Sequence, residues 1–431
     1  VSALDEKKSH TKKDMPFQKP EVAVVENDPF RILTVNSGSS SIKFSLYEMG
    51  PRELRRLSGQ AERIGESEGL LKVKDGNGKT LAEPSLAFPD HRQALKAVLE
   101  WLKENPSGQS LEAVGHRLVH GGRRYGASQW VTKDLMMELR QLIPLAPAHL
   151  PHEIEAIEAI RGYYPEVKQA VCFDTAFHRK MPEVAQVYAL PRNLWHEGIL
   201  RYGFHGLSCE YVLGELAPKA GSDADDGRII IAHLGHGCSM TAVRHGQSVD
   251  NTMGLTPIGG LVMSRRPGDL DPGVILYLLQ QKGMSASEVS DVVNRKGGLL
   301  GISPRGDDMR DLLEREKEDP LAALAIAVFC HQAKKFLGAL VAILGGLDTL
   351  VFTGGIGENA PAIRWRICDG LAFMGVRLDV TRNQASAPVI SRENSAVLVR
   401  VIRTNEELVI ARHTYQLLRK EEGSNKSEIV G

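Results

Sequence analysis

The chain has 431 residues, 42% apolar and 25% charged, with 53 basic side chains against 53 acidic ones. That length exceeds one ordinary core and suits two domains, or one domain built from two similar halves. The charge balance excludes a general field for nucleic acid or anionic lipid, so any anion must be bound by local chemistry.

Cys172, Cys209, Cys238, Cys330 and Cys368 form no CxxC pair. This argues against a disulfide framework or a zinc site and fits reduced thiols in a cytoplasmic protein. No apolar run reads as long enough to span a membrane. Residues 1–28 are charge-rich without the apolar stretch of a signal peptide and read as a disordered leader. Residues 421–431 read as a disordered tail.

The fold is expected to begin near Arg31. An apolar strand, 31–36, meets a Gly/Ser turn and an alternating strand, 41–49. A helix is expected at 91–104, a strand at 111–114 and a helix at 152–164. A buried strand at 168–174 then delivers Asp174 at its end. Residues 227–249 repeat the opening pattern of buried strand, Gly-rich turn and alternating strand, and read as a second copy of it. A long helix is expected at 320–342. Residues 347–371 read as strand, Gly turn and helix, with Pro361 in the first turn. A strand at 396–404 leads to a last helix capped by Asn405. Two strand–turn–strand cradles predict an α/β protein in two lobes, with a nucleotide in the cleft between them.

The segment Asn36 to Lys43 combines Gly38, whose backbone permits close approach to an anion, with the hydroxyls of Ser39 and Ser41 and the charge of Lys43. In isolation it reads equally well as a tight hairpin. No GxxxxGK[ST] is present, so this is not a P-loop. The second cradle is His233, Leu234, Gly235, His236, Gly237, Cys238 and Ser239. Its histidines read as phosphate donors or core residues rather than a metal pair, because no HExxH spacing surrounds them. Gly354 to Asn359 would let a flat ring or a phosphate approach a helix start. Arg117 and His120 flank Gly121 and Gly122, while Arg265 and Arg266 lie in a loop where arginines are ordinarily solvated. Together these features suit phosphoryl transfer, which needs positioning and charge neutralisation more than covalent chemistry.

The stretches VNSGSSSIKFSL, GHRLVHGG, PLAPAH, FDTAFH, RYGFHGLS, GDLDPGVILYL, TGGIGEN and RTNEELVIAR, in this order from Arg31 to about Leu418, resemble the acetate kinase family of the actin, Hsp70 and sugar kinase superfamily. The resemblance implies a duplicated, two-lobed ribonuclease H-like α/β fold with the active site between the lobes. The N-terminal lobe would be 29–176 and the C-terminal lobe, carrying the nucleotide and dimer sides, 177–404. A helix at 405–420 would return to the first lobe. The implied reaction is reversible transfer of the γ-phosphoryl group of ATP to acetate or propionate, giving acyl phosphate and ADP, in a homodimer using Mg²⁺ or Mn²⁺.

By the same resemblance, Asn36 and Glu406 organise the metal, and Ser39, Ser41 and Lys43 cradle phosphate. Arg117 and Arg266 hold the carboxylate and the transferring group, with His149, Asp174 and His205 beside them. His233, Leu234, Gly235, His236 and Gly237 form part of the nucleotide site. Asp308, Met309 and Arg310 form another part, and Gly354, Gly355, Ile356, Gly357, Glu358 and Asn359 the rest. Val119, Ala148, Phe204 and Pro257 line the acyl pocket. A carboxylate acceptor is already ionised at neutral pH, so no general base is required. Asp174 is therefore expected to orient an arginine or the metal's water shell.

The chain departs from the family pattern at His236, where Asn is usual, at Arg265, an added charge beside Arg266, and at Ala148, where Leu is usual. The last change predicts tolerance of longer acids, so a propionate- or butyrate-preferring kinase is one alternative. Another is an inactive nucleotide-binding relative of actin or Hsp70. It would require a peptide-binding or polymerising surface, which the sequence does not indicate.

Overall fold

The computed structural model describes residues 29–38, 40–105, 110–217 and 227–429. The expectations for the leader, for Ser39 and for the last two residues lie outside the described residues.

The first sheet contains β1 (Phe30–Ser37), β2 (Ser41–Met49), β3 (Glu53–Glu62), β4 (Gly69–Asp75), β5 (Thr80–Ala82), β6 (Ser85–Leu86), β7 (Ala113–Leu118), β8 (Gln129–Trp130) and β9 (Lys168–Phe173). Its order is β5-β4-β3-β2-β1-β7-β9-β8, with β6 beside β4. The second sheet contains β10 (Ile229–Leu234), β11 (Cys238–Arg244), β12 (Gln247–Asn251), β13 (Thr349–Thr353) and β14 (Leu398–Val401), ordered β12-β11-β10-β13-β14.

The expected duplication is plain in the strand directions. In β3-β2-β1-β7-β9 the first two pairings are antiparallel and the last two parallel. The run β12-β11-β10-β13-β14 has the same sequence of directions. Each parallel step needs a crossover, which helices supply. Helices His91–Glu104 and Leu150–Tyr163 cross in the first lobe, and Pro320–Leu344 and Pro361–Cys368 in the second.

Several expected boundaries move. The strand expected at 111–114 runs through Leu118 and so carries Arg117. The alternating strand expected through 249 is two strands. His245 and Gly246 both take positive φ (51° and 67°), as a two-residue hairpin turn requires. The Gly turn at 354–359 is itself a helical turn, followed by a second helix with Pro361 at its start. The last helix runs from Glu406 to Ile429, past the expected boundary at 420. No proline interrupts it, and Glu421 pairs with Lys168 while Arg419 pairs with Glu422.

The reading that no segment has membrane-spanning length also needs correction, since Pro320–Leu344 meets that length and composition. Asp319 caps this helix by accepting from the Leu321 and Ala322 amides. Its buried residues, among them Ala325, Phe329, Ala333 and Leu337, belong to the core cluster of the second lobe.

In the first lobe, Leu33, Val35, Phe44 and Leu46 pack with Val98, Leu99, Ala156 and Ile160 of the two crossover helices. The opposite face, with Ile32, Tyr47 and Ala113, is covered by Ala411 and Leu418 of the C-terminal helix. The helix Gly206–Leu216 follows the first sheet but packs Cys209, Val212 and Leu216 against Ile229, Ile231 and Val351 of the second. Each lobe is thus closed by the helix that follows the other. The two closing helices meet where His413 bonds Glu210 at 2.6 Å.

Candidate active site

The first sheet places Asn36 near the end of β1, Arg117 near the end of β7 and Asp174 just beyond β9. Because β1, β7 and β9 are parallel to one another, these three side chains arrive at the same carboxyl edge, where open α/β sheets bind ligands. Arg117 forms a fork on Asp174, with Nε to Oδ1 at 3.1 Å and Nη2 to Oδ2 at 2.5 Å. Its Nη1 donates to Asn36 Oδ1 at 3.2 Å. Asn36 Nδ2 in turn donates to Glu406 Oε2 at 3.3 Å, and that oxygen lies 3.6 Å from Arg117 Nε. Residues 370 apart in sequence are therefore joined at one point.

Asp174 is fully buried, and burial pushes its carboxyl up to about 6, partly offset by Arg117. Burial acts on Glu406 in the same sense, but Arg117, His233 and Lys43 outweigh it and hold Glu406 below the usual carboxylate range. Lys43 faces Asn36 across the β1–β2 hairpin and is exposed. The turn of that hairpin is closed by Gly38 N–H donating to the Ser41 carbonyl at 2.8 Å.

His205 sits at the first turn of Gly206–Leu216 with φ of 61°, the left-handed region. Such backbone is costly for a side-chain-bearing residue and persists only when its surroundings fix it. Here the Gly206 amide donates to the Asp174 carbonyl at 2.9 Å, which ties His205 to the first lobe. His205 Nδ1 bonds Ser239 Oγ at 2.9 Å, and the ring stacks on His233 at 4.2 Å. His233 Nδ1 bonds Ser208 Oγ at 2.9 Å, and Ser208 Oγ bonds Thr404 Oγ1. Burial holds His233 at about 4 and His205 well below its ordinary value, so both rings are neutral at pH 7. His149, at the start of Leu150–Tyr163, is lowered to about 3 by burial and by Arg266 and Arg117.

Arg266 comes from the second lobe. Its Nη1 donates to the Pro257 carbonyl at 2.6 Å, and no acid among the described residues forms an ion pair with it. Burial lowers it to about 10, and Arg117 pushes in the same direction. A Cβ at Gly237 would stand 2.8 Å from Arg266 Nη2 and 3.2 Å from His205 Nε2, so glycine lets these two groups converge on the second cradle. Arg265 points the other way: its Nε pairs with Asp307 at 2.8 Å and its side chain is exposed.

The nucleotide-type segments also meet. A Cβ at Gly235 would lie 3.8 Å from the Gly355 amide, and Gly354 has φ of 76°, where a Cβ would stand 2.8 Å from the Leu234 carbonyl oxygen. Glu358 Oε1 accepts from both the Gly354 and Thr404 amides and fixes this turn. Ile356 is half-buried and Gly357 buried, while Gly355 and Asn359 are exposed. His236 is exposed and acts electrostatically on Asp308, which caps Met309–Arg315 and pairs with exposed Arg310; Met309 is buried.

Val119, Phe204 and Pro257 are buried, Val119 and Phe204 in one core cluster. Ala148 lines a separate cavity of about 430 Å³ with Pro147, Met284, Glu288, Asn294 and Arg295, whose lining includes none of Val119, Phe204 and Pro257.

Three residues escaped the sequence reading. Ser208 fixes His233, as Ser239 of the second cradle fixes His205. His91 Nε2 bonds the Gly38 carbonyl at 2.7 Å, bracing the first turn. Arg364 is fully buried and donates to the Gly357 and Glu358 carbonyls and to Asn383. Its only sequence signal, a basic residue within a helical pattern, is shared by Arg366, which pairs with Glu316 near the surface.

A divalent cation fits the donor set at Asn36 and Glu406: hard oxygens at the cleft. Among the described residues no group of three or more His, Cys, Asp or Glu forms a metal cage. A small cation there would depend on water and phosphate oxygens, which is how Mg²⁺ is ordinarily held.

With this geometry in hand, the comparisons are specific. The profile of the acetokinase family matches residues 31–412. An acetate kinase of Methylocella silvestris is 46% identical over 402 residues, spanning 90% of this chain and 98% of that protein. One from Clostridium beijerinckii is 42% identical over 402 residues, spanning 90% and 100%. Among solved structures, Porphyromonas gingivalis acetate kinase superposes with a TM-score of 0.79 at 38% identity, covering 90% of this chain and all of that one. A propionate kinase from Francisella tularensis gives 0.81 at 38%, covering 89% and 98%.

Proposed function

The chain belongs to the acetokinase family, and we propose that it transfers the γ-phosphoryl group of ATP reversibly to the carboxylate of acetate, giving acetyl phosphate and ADP. The observation that carries this reading is Arg266, a largely enclosed cation with no acid partner among the described residues, close enough to Arg117 to feel its charge. A charge so placed requires an anion. The reaction brings two anions together, a carboxylate and a nucleotide phosphate, and two guanidiniums from opposite lobes reduce their repulsion.

In the forward direction a carboxylate oxygen attacks the γ-phosphorus, the bond from that phosphorus to the ADP oxygen breaks, and no proton moves. Arg117, locked by Asp174, and Arg266 orient the acceptor and the transferring group. In the tautomer in which Ser239 Oγ donates to His205 Nδ1, the Nε2 proton is directed to the Gly237 side, and there it would stabilise the oxygens of the group in transit. Asn36 and Glu406 would hold Mg²⁺, which supplies charge neutralisation on the nucleotide phosphates. The segments around Gly235, Asp308 and Gly354 bind the nucleotide.

The proposal includes a cytoplasmic location and a homodimer. Supporting the dimer, the helix Pro272–Gln280 buries none of its residues and exposes Leu276 and Tyr277. A second reading, acceptance of propionate, rests on Ala148 standing where the family usually has Leu and on the likeness to a propionate kinase. An acyl-hydroxamate assay with acetate, propionate and butyrate, using ATP and then pyrophosphate, tests the transfer and the acid preference, and sedimentation of the purified protein tests the dimer. Absence of product with every acid would refute the kinase reading.

A further inference from the structure

Beyond Leu118 the first sheet ends. The Asp174 amide donates to the Leu118 carbonyl, and past that point no strand is left to pair with residues 119–122. Their amides are held by side chains instead. Gly121 N–H donates to Thr175 Oγ1 at 3.1 Å and Gly122 N–H to His120 Nδ1 at 2.9 Å. Val119 N–H donates to both oxygens of Glu153, at 3.3 and 3.1 Å. Glu153 is 1% exposed and lies on the apolar stripe of Leu150–Tyr163 with Ile157 and Ile160. An acid on that stripe, meeting a single amide, has no ordinary packing role.

We propose that Glu153 is a positioning residue for the acyl acceptor: its carboxyl clamps the Val119 amide, and so fixes the wall of the acyl pocket against Arg117 and the helix that begins at His149. The inference rests on the carboxylate kinase reading above. Its chemistry is particular. Arg117 on β7 and Asp174 at the end of β9 are the charged groups that act on it, with opposite signs. The amino end of its own helix favours the ionised form. Burial outweighs these favourable terms and pushes Glu153 up to about 8. Near neutral pH the group holds its proton and the acceptor meets Arg117 without a competing negative charge. As pH rises past that value Glu153 ionises, and a new anion stands behind the acyl pocket.

The test is steady-state kinetics of the full-length enzyme with acetate and ATP from pH 6.5 to 9. Wild type is expected to show a KM for acetate that rises about tenfold toward pH 9, with KM for ATP nearly flat. Glu153→Gln keeps an acceptor for the Val119 amide but cannot ionise. It should match wild type within about twofold at pH 6.5 and lack the alkaline rise. Glu153→Ala leaves the amide unsatisfied and should raise KM for acetate about tenfold at every pH, with KM for ATP unchanged. Parallel profiles for wild type and Glu153→Gln overturn the inference, whether or not the alanine variant folds. So does an alanine variant in which both KM values shift equally. A wild type that forms no acyl phosphate overturns the kinase reading first, and this inference with it.

Discussion

The two lobes share a strand order but not a chemistry. At the carboxyl edge of the first sheet the functional groups are ionic and mutually paired: Arg117 with Asp174, Asn36 and Glu406. At the matching edge of the second they are glycines and neutral imidazoles, with Arg266 held by the Pro257 carbonyl and by no acid among the described residues. Duplication supplied two similar frames, and side-chain choice divided the labour between them. One frame holds charge in a fixed network, and the other presents donors and a single unspent charge. The difference predicts that similar losses of activity will have unequal consequences for stability.

The largest effect should follow Arg117→Ala. Removing this residue takes away a transition-state contact and leaves Asp174 buried without its partner. The expectation is a fall of about 10³-fold or more in kcat/KM together with ~3–5 kcal/mol of lost stability. Hydroxamate kinetics and thermal melting read the two effects separately, and an unchanged Tm would break the contrast between lobes. Arg266→Ala should lose about 10²- to 10³-fold in kcat/KM with a Tm loss much smaller than that of Arg117→Ala, since it orphans one carbonyl, that of Pro257, and no buried charge. A Tm drop as large as that of Arg117→Ala would show that Arg266 is structural.

The neutral imidazoles give a third test. His116, His120, His178 and His233 are held at about 4 by burial, whereas an unfolded histidine titrates near ~6.5. Between those values the folded state binds fewer protons, so their contribution is complete above the unfolded value and is lost as pH falls toward 4. Asp174, raised to about 6, and Glu153, raised to about 8, act in the opposite sense, gaining stability as pH falls through those values. The histidines outnumber them, and Tm is expected to be lower at pH 5 than at pH 7 by about 5 °C or more. A flat or rising Tm would mean that these rings are not buried neutral in solution.

The smallest effect concerns the second cradle. His236 is exposed beside Asp308, where its ring can donate a hydrogen bond to phosphate. His236→Asn keeps a donor and should leave KM for ATP within about twofold, whereas His236→Ala should raise it about fivefold. An alanine variant with the wild-type KM would remove His236 from nucleotide binding.

Much of the frame was legible because it is written in local pattern. Apolar runs beside Gly-rich turns located β1, β2, β10 and β11, and their recurrence indicated the duplication. What stayed hidden depends on the third dimension. Sequence cannot tell why Arg265 turns out to Asp307 while its neighbour turns inward, because the choice is made by the loop's path. Arg364 and Arg366 look alike in one dimension, yet one is wholly enclosed. Glu153 carried a signal, an acid on an apolar helical stripe, but its meaning required seeing where β7 ends. The break of the expected 354–359 turn into a helix follows from Glu358 folding back on the Gly354 amide, a contact invisible in composition.

The exchange of closing helices has a consequence for how the protein is made. The first sheet is synthesised early, yet Ala411 and Leu418, which cover one of its faces, and Glu406, which completes its ionic cluster, come last. A nascent chain shorter than these residues has an uncovered sheet face and a half-assembled ionic cluster, a condition that favours holding the early lobe loosely until they are made. Under this topology the cleft cannot be assembled piecemeal: the helix that carries Ala411 and Leu418 closes strands made almost four hundred residues earlier.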